Sequence, residues 1–312
     1  MGLTFVYPSV DDLMVENPFW NGLSKVYVSL DPVRVKELSE LRTLVLNPGN
    51  STLLILGPST PFSEEDLRAL RVFVSRGGLL VLADDFGSGN EVLEGFGVSV
   101  RFERLLLQDR LFKERNGLMP RTYGERVSCL MGVDSLVLNY AGVLRDVEGA
   151  VVLAWSSPFS YVSYEPSVPA EAVLSGPFPV VVECGFGEGE IIVVSDSSLF
   201  INSMLDLGDN AVLLSNLCRD ELFIDEGHCI PSRLTVLRAG LSGVYSVLRM
   251  TEIRYGLCIV VVFVIFNVKW MKGDDEEVVV DEVEELMKRH PEYDRGLLEE
   301  LQEKRRKARG YQ

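Results

Sequence analysis

Three adjoining stretches, TLLILG (52–57), SEEDLRALRVFVSRGG (63–78) and LLVLAD (79–84), decide the fold. The first and third are short, uninterrupted apolar runs that end in turn formers, the pattern of strands buried on both faces. Between them Leu67, Leu70, Phe73 and Val74 recur at helical spacing. Ser63 is placed to cap that helix, Glu65 and Asp66 suit its first turn, and Gly77 and Gly78 stop it. Strand, helix, strand with a short crossover predicts a parallel sheet in an α/β domain.

The pattern extends outward from this unit. KVYVSL (25–30) reads as a short first strand, and VVLAWSS (151–157) as another. PVVVECGFGEGEIIVVSD (179–196) reads as two strands joined by a glycine-rich turn. Apolar residues between Asp209 and Cys218 suggest a helix, with Asp209 at its cap, and ELFIDE (221–226) gives a short extended piece. Residues 98–150 hold amphipathic fragments such as FERLLLQDRLF but no element that can be assigned. The loop DDFGSGN (84–90) falls at the carboxyl edge of the sheet, where open α/β sheets place ligands.

With 47% hydrophobic and 24% charged residues in 312, a sizeable core is expected and global disorder is not. A formal charge of −16 leaves no broad basic surface for phosphates, which argues against a nucleic-acid partner. Five dispersed cysteines, none in a CxxC, indicate neither a zinc knuckle nor a disulfide framework. MGLTFVYPSVDDLM lacks the basic and apolar regions of a signal peptide.

NPFWNGLS (17–24), SRGGLLVLADDFGSGNEVLEGFG (75–97), GFGEGEIIVVSDSSLFINSMLDLGDNAVLLSNL (185–217) and FIDEGH (223–228) occur in that order along the chain. Together they resemble an uncharacterised archaeal and bacterial membrane-associated family carrying domain of unknown function 4350. The resemblance implies a flavodoxin-like, parallel-sheet sandwich of the class I glutamine amidotransferase-like type, beside one or two membrane helices. It further implies envelope or assembly work with membrane or envelope proteins, including MoxR-type ATPase systems.

YGLCIVVVFVIFNVKW (255–270) is the most apolar stretch and reads as a C-terminal transmembrane helix. The expected organisation is a lead-in (1–50), the amidotransferase-like domain (51–230), a juxtamembrane segment (231–254), the membrane helix (255–270) and a charged helical tail (271–312). Basic residues flank the apolar run on both sides, so a single-pass protein is expected with its orientation open.

An amidotransferase of this fold needs a cysteine on a strand-to-helix turn, activated by a histidine and an acid. No GxCxG occurs, and ECGFG (183–187) sets Cys184 in a hairpin. GSG (87–89) lacks the lysine of a phosphate loop and follows two aspartates. Metal binding is the sharper chemistry: Asp84, Asp85, Asp196, Asp225 and Glu226 are hard oxygen donors, His228 adds an imidazole, and Asn90 and Asn202 complete the candidate ligand- or metal-binding set. No cofactor other than a divalent metal is suggested.

The structural reading of the same residues leads. Asp85 or Asn90 caps a following helix, Asp196 and Asn202 satisfy loop backbone, and Glu226 pairs with His228. If extended, DEGH sets Glu226 and His228 on one side and Asp225 on the other. The expectation is therefore a non-catalytic, membrane-anchored ligand- or protein-binding domain of an envelope assembly. A metal-assisted hydrolase using the acidic edge with His228, and a purely structural scaffold, are the alternatives.

Overall fold

A computed structural model describes residues 10–124, 128–166, 171–271 and 282–309. Two compact units divide the chain, Met1–Leu241 and Ser242–Gln312. In the first, the chain runs through α1 (Ser24–Leu30), β1 (Val33–Val35), α2 (Leu41–Leu44), β2 (Ser51–Leu56), α3 (Glu64–Ser75), β3 (Leu79–Ala83) and α4 (Gly89–Phe96). A long excursion follows: β4 (Arg101–Glu103), β5 (Leu106–Asp109), β6 (Thr122–Gly124), β7 (Val143–Arg145), β8 (Val151–Ser156), β9 (Ser160–Ser163) and β10 (Leu174–Ser175). The chain then returns through β11 (Pro179–Phe186), β12 (Gly189–Val194), α5 (Asn210–Leu217) and β13 (Glu221–Asp225).

The main sheet has eight strands in the order β1-β13-β2-β3-β12-β11-β8-β6. The first five are parallel, and β12-β11-β8-β6 continue the sheet antiparallel. The expectation of a parallel-sheet sandwich is thus corrected to a mixed α/β sheet. The cause lies in GFGEG, whose short turn can only join antiparallel neighbours. Gly187 takes φ of +63° there, and a Cβ on Gly189 would lie 2.2 Å from the Val74 carbonyl oxygen.

Alternation along the strands feeds two apolar layers. Leu53 and Ile55 of β2 face α3 and α4, joined by Phe73, Val74, Leu93 and Phe96. Leu54 and Leu56 face the other way, toward Leu23 and Val26 beside α1 and Leu213, Leu214 and Leu217 of α5. All six residues of β2 and all five of β3 are buried, which explains their continuous hydrophobicity. Ser63 caps α3 in a reciprocal capping box with Asp66.

KVYVSL is helical, not extended: Val26 is the side chain α1 buries, and tertiary packing overrides its β-branched composition. Its position is set by Asn202, whose Nδ2 donates to the carbonyls of Asn17 (3.1 Å) and Phe19 (2.6 Å). The Oδ1 of Asn202 accepts from the Lys25 N–H at 2.9 Å, and its own N–H donates to the Gly22 carbonyl at 2.8 Å. Gly22 has no room for a side chain, since a Cβ would meet the Asn17 carbonyl oxygen at 1.9 Å.

Helix α6 (Arg233–Arg249) leads out of the first unit, and α7 (Thr251–Met271), α8 (Glu282–Arg289) and α9 (Arg295–Arg309) belong to the second. Among the described residues no helix is long and apolar enough to cross a membrane. This overturns the transmembrane helix at 255–270, and with it the single-pass localisation, the bilayer as partner and the membrane-anchored envelope role. The uninterrupted apolar run, Leu257–Phe266, rises only about 15 Å against a hydrocarbon core of about 30 Å. Glu252 and Arg254 precede it and Asn267 follows. Partnership with MoxR-type ATPase systems, which only the resemblance implied, finds no support either. Surface ion pairs at i,i+4 line α8 and α9, including Arg289–Glu285, Lys304–Glu300 and Lys307–Glu303.

Asn202→Ala should lower the unfolding free energy by about 2–4 kcal/mol, because it strands several buried backbone groups at once. Urea denaturation of the variant measures this; an unchanged midpoint would mean that α1 docks without Asn202.

Candidate functional site at the carboxyl edge

The chain leaves β3 toward α4 on one face of the sheet and leaves β12 toward α5 on the other. The carboxyl ends of these adjacent strands therefore form the topological switch point where open α/β sheets usually hold ligands. Asp84 and Asp85 follow β3, and Ser195 and Asp196 follow β12.

Asp84 is turned into its own loop. Its Oδ1 accepts from the N–H groups of Asp85 (2.8 Å) and Gly87 (2.9 Å), and its Oδ2 accepts from Gly89 at 2.7 Å. A Cβ on Gly87 or on Gly89 would come within 2.7 Å of this carboxylate. The glycines of DDFGSGN thus let backbone close around an internal anion, and the same N–H groups that could cradle a phosphate are already spent. Burial raises the Asp84 pKa, and the three N–H donors oppose that rise.

Asp196 is fully buried. Its Oδ2 accepts from the Asn139 N–H at 2.7 Å, and its Oδ1 from the N–H and the hydroxyl of Ser198, both at 2.8 Å. Gly142 donates its N–H to the Ser195 carbonyl at 2.9 Å, so the loop 139–142 lies over the switch point and fills it with the protein's own backbone. The Ser195 hydroxyl, also buried, has no hydrogen-bond partner among the described residues. Asp85 accepts from the Ser197 hydroxyl at 3.1 Å and from the Phe86 N–H at 2.8 Å. Burial, reinforced by the charge of Asp85, pushes the Asp196 pKa up to about 7. Burial and, among lesser causes, the charge of Asp84 push Asp85 up to about 6.

A second cluster sits where β13 ends. A turn at Gly227 brings His228 back onto Asp225, with Nδ1 2.8 Å from Oδ2, so the pairing with Glu226 expected from an extended chain does not form. Glu226 instead meets Arg34 at 2.7 Å and, more loosely, the Val15 N–H at 3.4 Å. The imidazole stacks on Phe62, with centroids 3.9 Å apart, and its Nε2 lies 3.7 Å from Oδ2 of Asp66. The His228 carbonyl accepts from the N–H groups of Ser59 (2.8 Å) and Thr60 (3.3 Å). Burial alone would lower the His228 pKa; the hydrogen bond and charge of Asp225, then Asp66, outweigh it and raise the pKa. An open cleft of about 330 Å³ borders the ring, with Lys36, Glu37, Thr60, Ser63 and Asp66 in its wall.

The remaining candidates have local work. Asn90 clasps β4, donating to the Phe102 carbonyl (3.1 Å) and accepting its N–H (2.9 Å). It does not cap α4; Asp84 receives that helix's first N–H. Asp209 stands at the cap position of α5, yet its carboxylate accepts from the backbone of Asp134 and Ser135. Among the described residues no group of three or more His, Cys, Asp or Glu side chains could hold a metal ion. The metal-assisted hydrolase and its divalent ion are overturned: Asp84 and Asp196 are engaged by N–H groups, Asp225 by His228, and Glu226 by Arg34. Phe62, Arg34 and Asn139 carry no signal in the sequence, and Asp66 reads there only as a first-turn residue of α3. The capping box at Ser63 gave a signal for Asp66, whereas Asn139 lies in the stretch where no element could be assigned.

A family model described as "Domain of unknown function (DUF4350)" matches residues 15–218, well over half of the chain. The chain belongs to this family. The matched span of the DUF4350 chain includes the Asp84, Asp85 and Asp196 cluster and stops short of Asp225 and His228. No curated protein sequence matches. Among solved structures, the N-terminal domain of mmIFT52 is similar at 15% identity and a TM-score of 0.42, covering 57% of this chain and 78% of that one. A putative ThuA-like protein from Bacteroides uniformis aligns at 14% identity and a TM-score of 0.37, covering 59% and 73%. A β-galactosidase from Bacillus circulans sp. alkalophilus aligns at 16% and 0.35, covering 54% of this chain but 22% of the enzyme. At such distances none carries an activity across.

Asp85 and Asp196 each bind a proton more tightly folded than unfolded, so stability is greatest below about pH 4 for these groups and falls as pH rises through about 6 and 7. His228 has the same sign: its contribution is whole below about 6.5 and is lost above that, as its raised pKa is passed. Urea unfolding should therefore show a more stable domain at pH 5 than at pH 8. Asp196→Asn should remove on the order of 2–4 kcal/mol of that difference, and an undiminished slope in the variant would assign the pH dependence elsewhere.

Proposed function

We propose that this DUF4350 chain is a recognition domain that takes up a small polar ligand in the cleft beside His228, without amidotransferase chemistry. The observation that carries the proposal is the setting of the imidazole. Asp225 holds Nδ1, Phe62 holds the ring face and Asp66 faces Nε2 at 3.7 Å, while the residue borders an open cleft. A side chain fixed in this way at the edge of a cleft is ready to read a ligand without further ordering. The cleft is small, about 330 Å³, at the lower end of ligand pockets. Glu37, Glu65 and Asp66 outnumber Lys36 in its wall, which favours an uncharged or cationic ligand bearing hydrogen-bond donors.

Thiol chemistry finds no support in the first unit. Burial, with nearby carboxylates, pushes Cys129 and Cys229 up to about 12 and Cys184 up to about 11, and burial alone pushes Cys218 up to about 11, so none of the four supplies a thiolate near neutral pH. The finer parts of the resemblance, an amidotransferase-like sandwich and an archaeal or bacterial source, belong to this proposal. The parallel block with helices on both faces supports the first.

The test is chemical-shift mapping of the full chain against a panel of small polyols, amines and amides, repeated with His228→Ala and Asp66→Asn. A hit should perturb resonances of Ser63, Asp66 and His228 and weaken at least tenfold, about 1.4 kcal/mol, in both variants. If no compound perturbs the cleft, and His228→Ala only lowers stability, the ring is a lock between β13 and α3 and the proposal fails.

A further inference from the structure

A second surface, remote in sequence from the His228 cleft and independent of it, is built around exposed aromatic rings. Phe112 packs edge-on against Tyr123 at 5.6 Å and stacks on Phe159 at 5.9 Å. Tyr123 of β6 is the cross-strand partner of Trp155 in β8, so the pair shares one face of the sheet. Phe112 is 37% exposed, Trp155 38%, Tyr123 45% and Phe159 61%, and they form one patch rather than scattered apolar residues.

Two fully buried polar side chains hold this patch in place. Asp109 accepts at Oδ1 from the N–H groups of Leu111 (2.7 Å) and Phe112 (2.8 Å). Its Oδ2 accepts from the Ser157 hydroxyl, and the Ser157 oxygen in turn accepts from the Phe159 N–H at 3.1 Å. One buried contact therefore fixes both turns that present Phe112 and Phe159. The loop is further closed by the Arg121 N–H on the Phe112 carbonyl (2.9 Å) and the Glu114 N–H on the Met119 carbonyl (2.9 Å). Rings presented on braced turns lose little entropy on binding, as in recognition loops.

The charge around the rings opposes that of the whole chain. DRLFKERNGLMPR (109–121) carries four basic residues against two acidic ones, in a protein of net charge −16. Arg110, Lys113 and Arg115 are exposed. Of the two acids, Asp109 is buried and Glu114 is paired with Arg121. An aromatic centre with a basic rim is complementary to an acidic segment bearing a large apolar side chain.

From this arrangement we infer that the Phe112–Tyr123–Trp155–Phe159 face is a docking site for an acidic peptide segment of a partner protein, anchored by an aromatic residue. The site is distinct from the cleft of the proposed function, and it survives or fails separately.

The experiment titrates the full chain with three 12-residue synthetic peptides: one Asp/Glu-rich with a central Trp-Phe pair, one with its acids changed to Lys, and one with its aromatics changed to Ser. Fluorescence anisotropy should show the first binding at least tenfold tighter than the other two, and weakening as salt rises. Phe112→Ala/Phe159→Ala and Lys113→Glu/Arg115→Glu, both surface changes, should each lose at least tenfold in affinity with urea midpoints unchanged. Equal binding of the Lys peptide, unchanged binding by Phe112→Ala/Phe159→Ala, or no binding at all would overturn the inference. A concentration-dependent dimer in sedimentation that Phe112→Ala/Phe159→Ala abolishes would also overturn it, by giving the face to a second copy.

Discussion

Parallel pairing of β3 with β12 is the joint on which the first unit depends. It sets Leu79–Ala83 beside Glu190–Val194 across more than a hundred residues of intervening chain. The excursion can leave the sheet and return only because these two runs, apolar on both faces, have no stable place except side by side under two helical layers. Every feature of the carboxyl edge follows: Asp84 and Asp85 arrive at the end of one strand, Ser195 and Asp196 at the end of its neighbour. The hairpin that leads into β12 then converts the parallel block into the antiparallel extension that carries Tyr123 and Trp155.

At the resulting switch point the protein has spent its polar groups on itself. Three N–H donors close on Asp84, and the loop 139–142 is drawn over Asp196. Buried carboxylates without a cation in hydrogen-bond contact raise their proton affinity, which makes the fold more stable in mild acid than in mild base. Each carboxylate also organises a turn, Asp84 through the N–H groups of Asp85, Gly87 and Gly89 and Asp196 through Asn139 and Ser198. The outcome is a fold whose usual ligand position is plugged, while an imidazole two strands away borders an open cleft.

Asn202 and Asp109 illustrate a shared device. Each is a small buried polar residue that fixes a surface loop, one presenting NPFWNG and the other presenting Phe112. Such residues resemble loop-satisfying asparagines and aspartates anywhere in a sequence, and Asn202 was read that way. What distinguishes them is the distant backbone they reach: Asn202 to residues 17–25, and Asp109, through Ser157, to Phe159. That information is absent from local pattern.

By itself the sequence determined the α/β class, the β2-α3-β3 unit with its Ser63 cap, the β11-β12 hairpin, and the lack of a nucleophilic cysteine motif. These are properties of local periodicity and turn chemistry, which act over a few residues. Tertiary structure decided the rest. Whether KVYVSL became a strand or a helix depended on what Val26 could bury. Whether His228 met Glu226 or Asp225 depended on a turn at Gly227 rather than on extended alternation. The apolar run after Tyr255 read as a membrane span, but the helix it forms carries too short an unbroken apolar length. The grouping of Phe112, Tyr123, Trp155 and Phe159 arises from strand register across the sheet, which no single stretch of sequence contains.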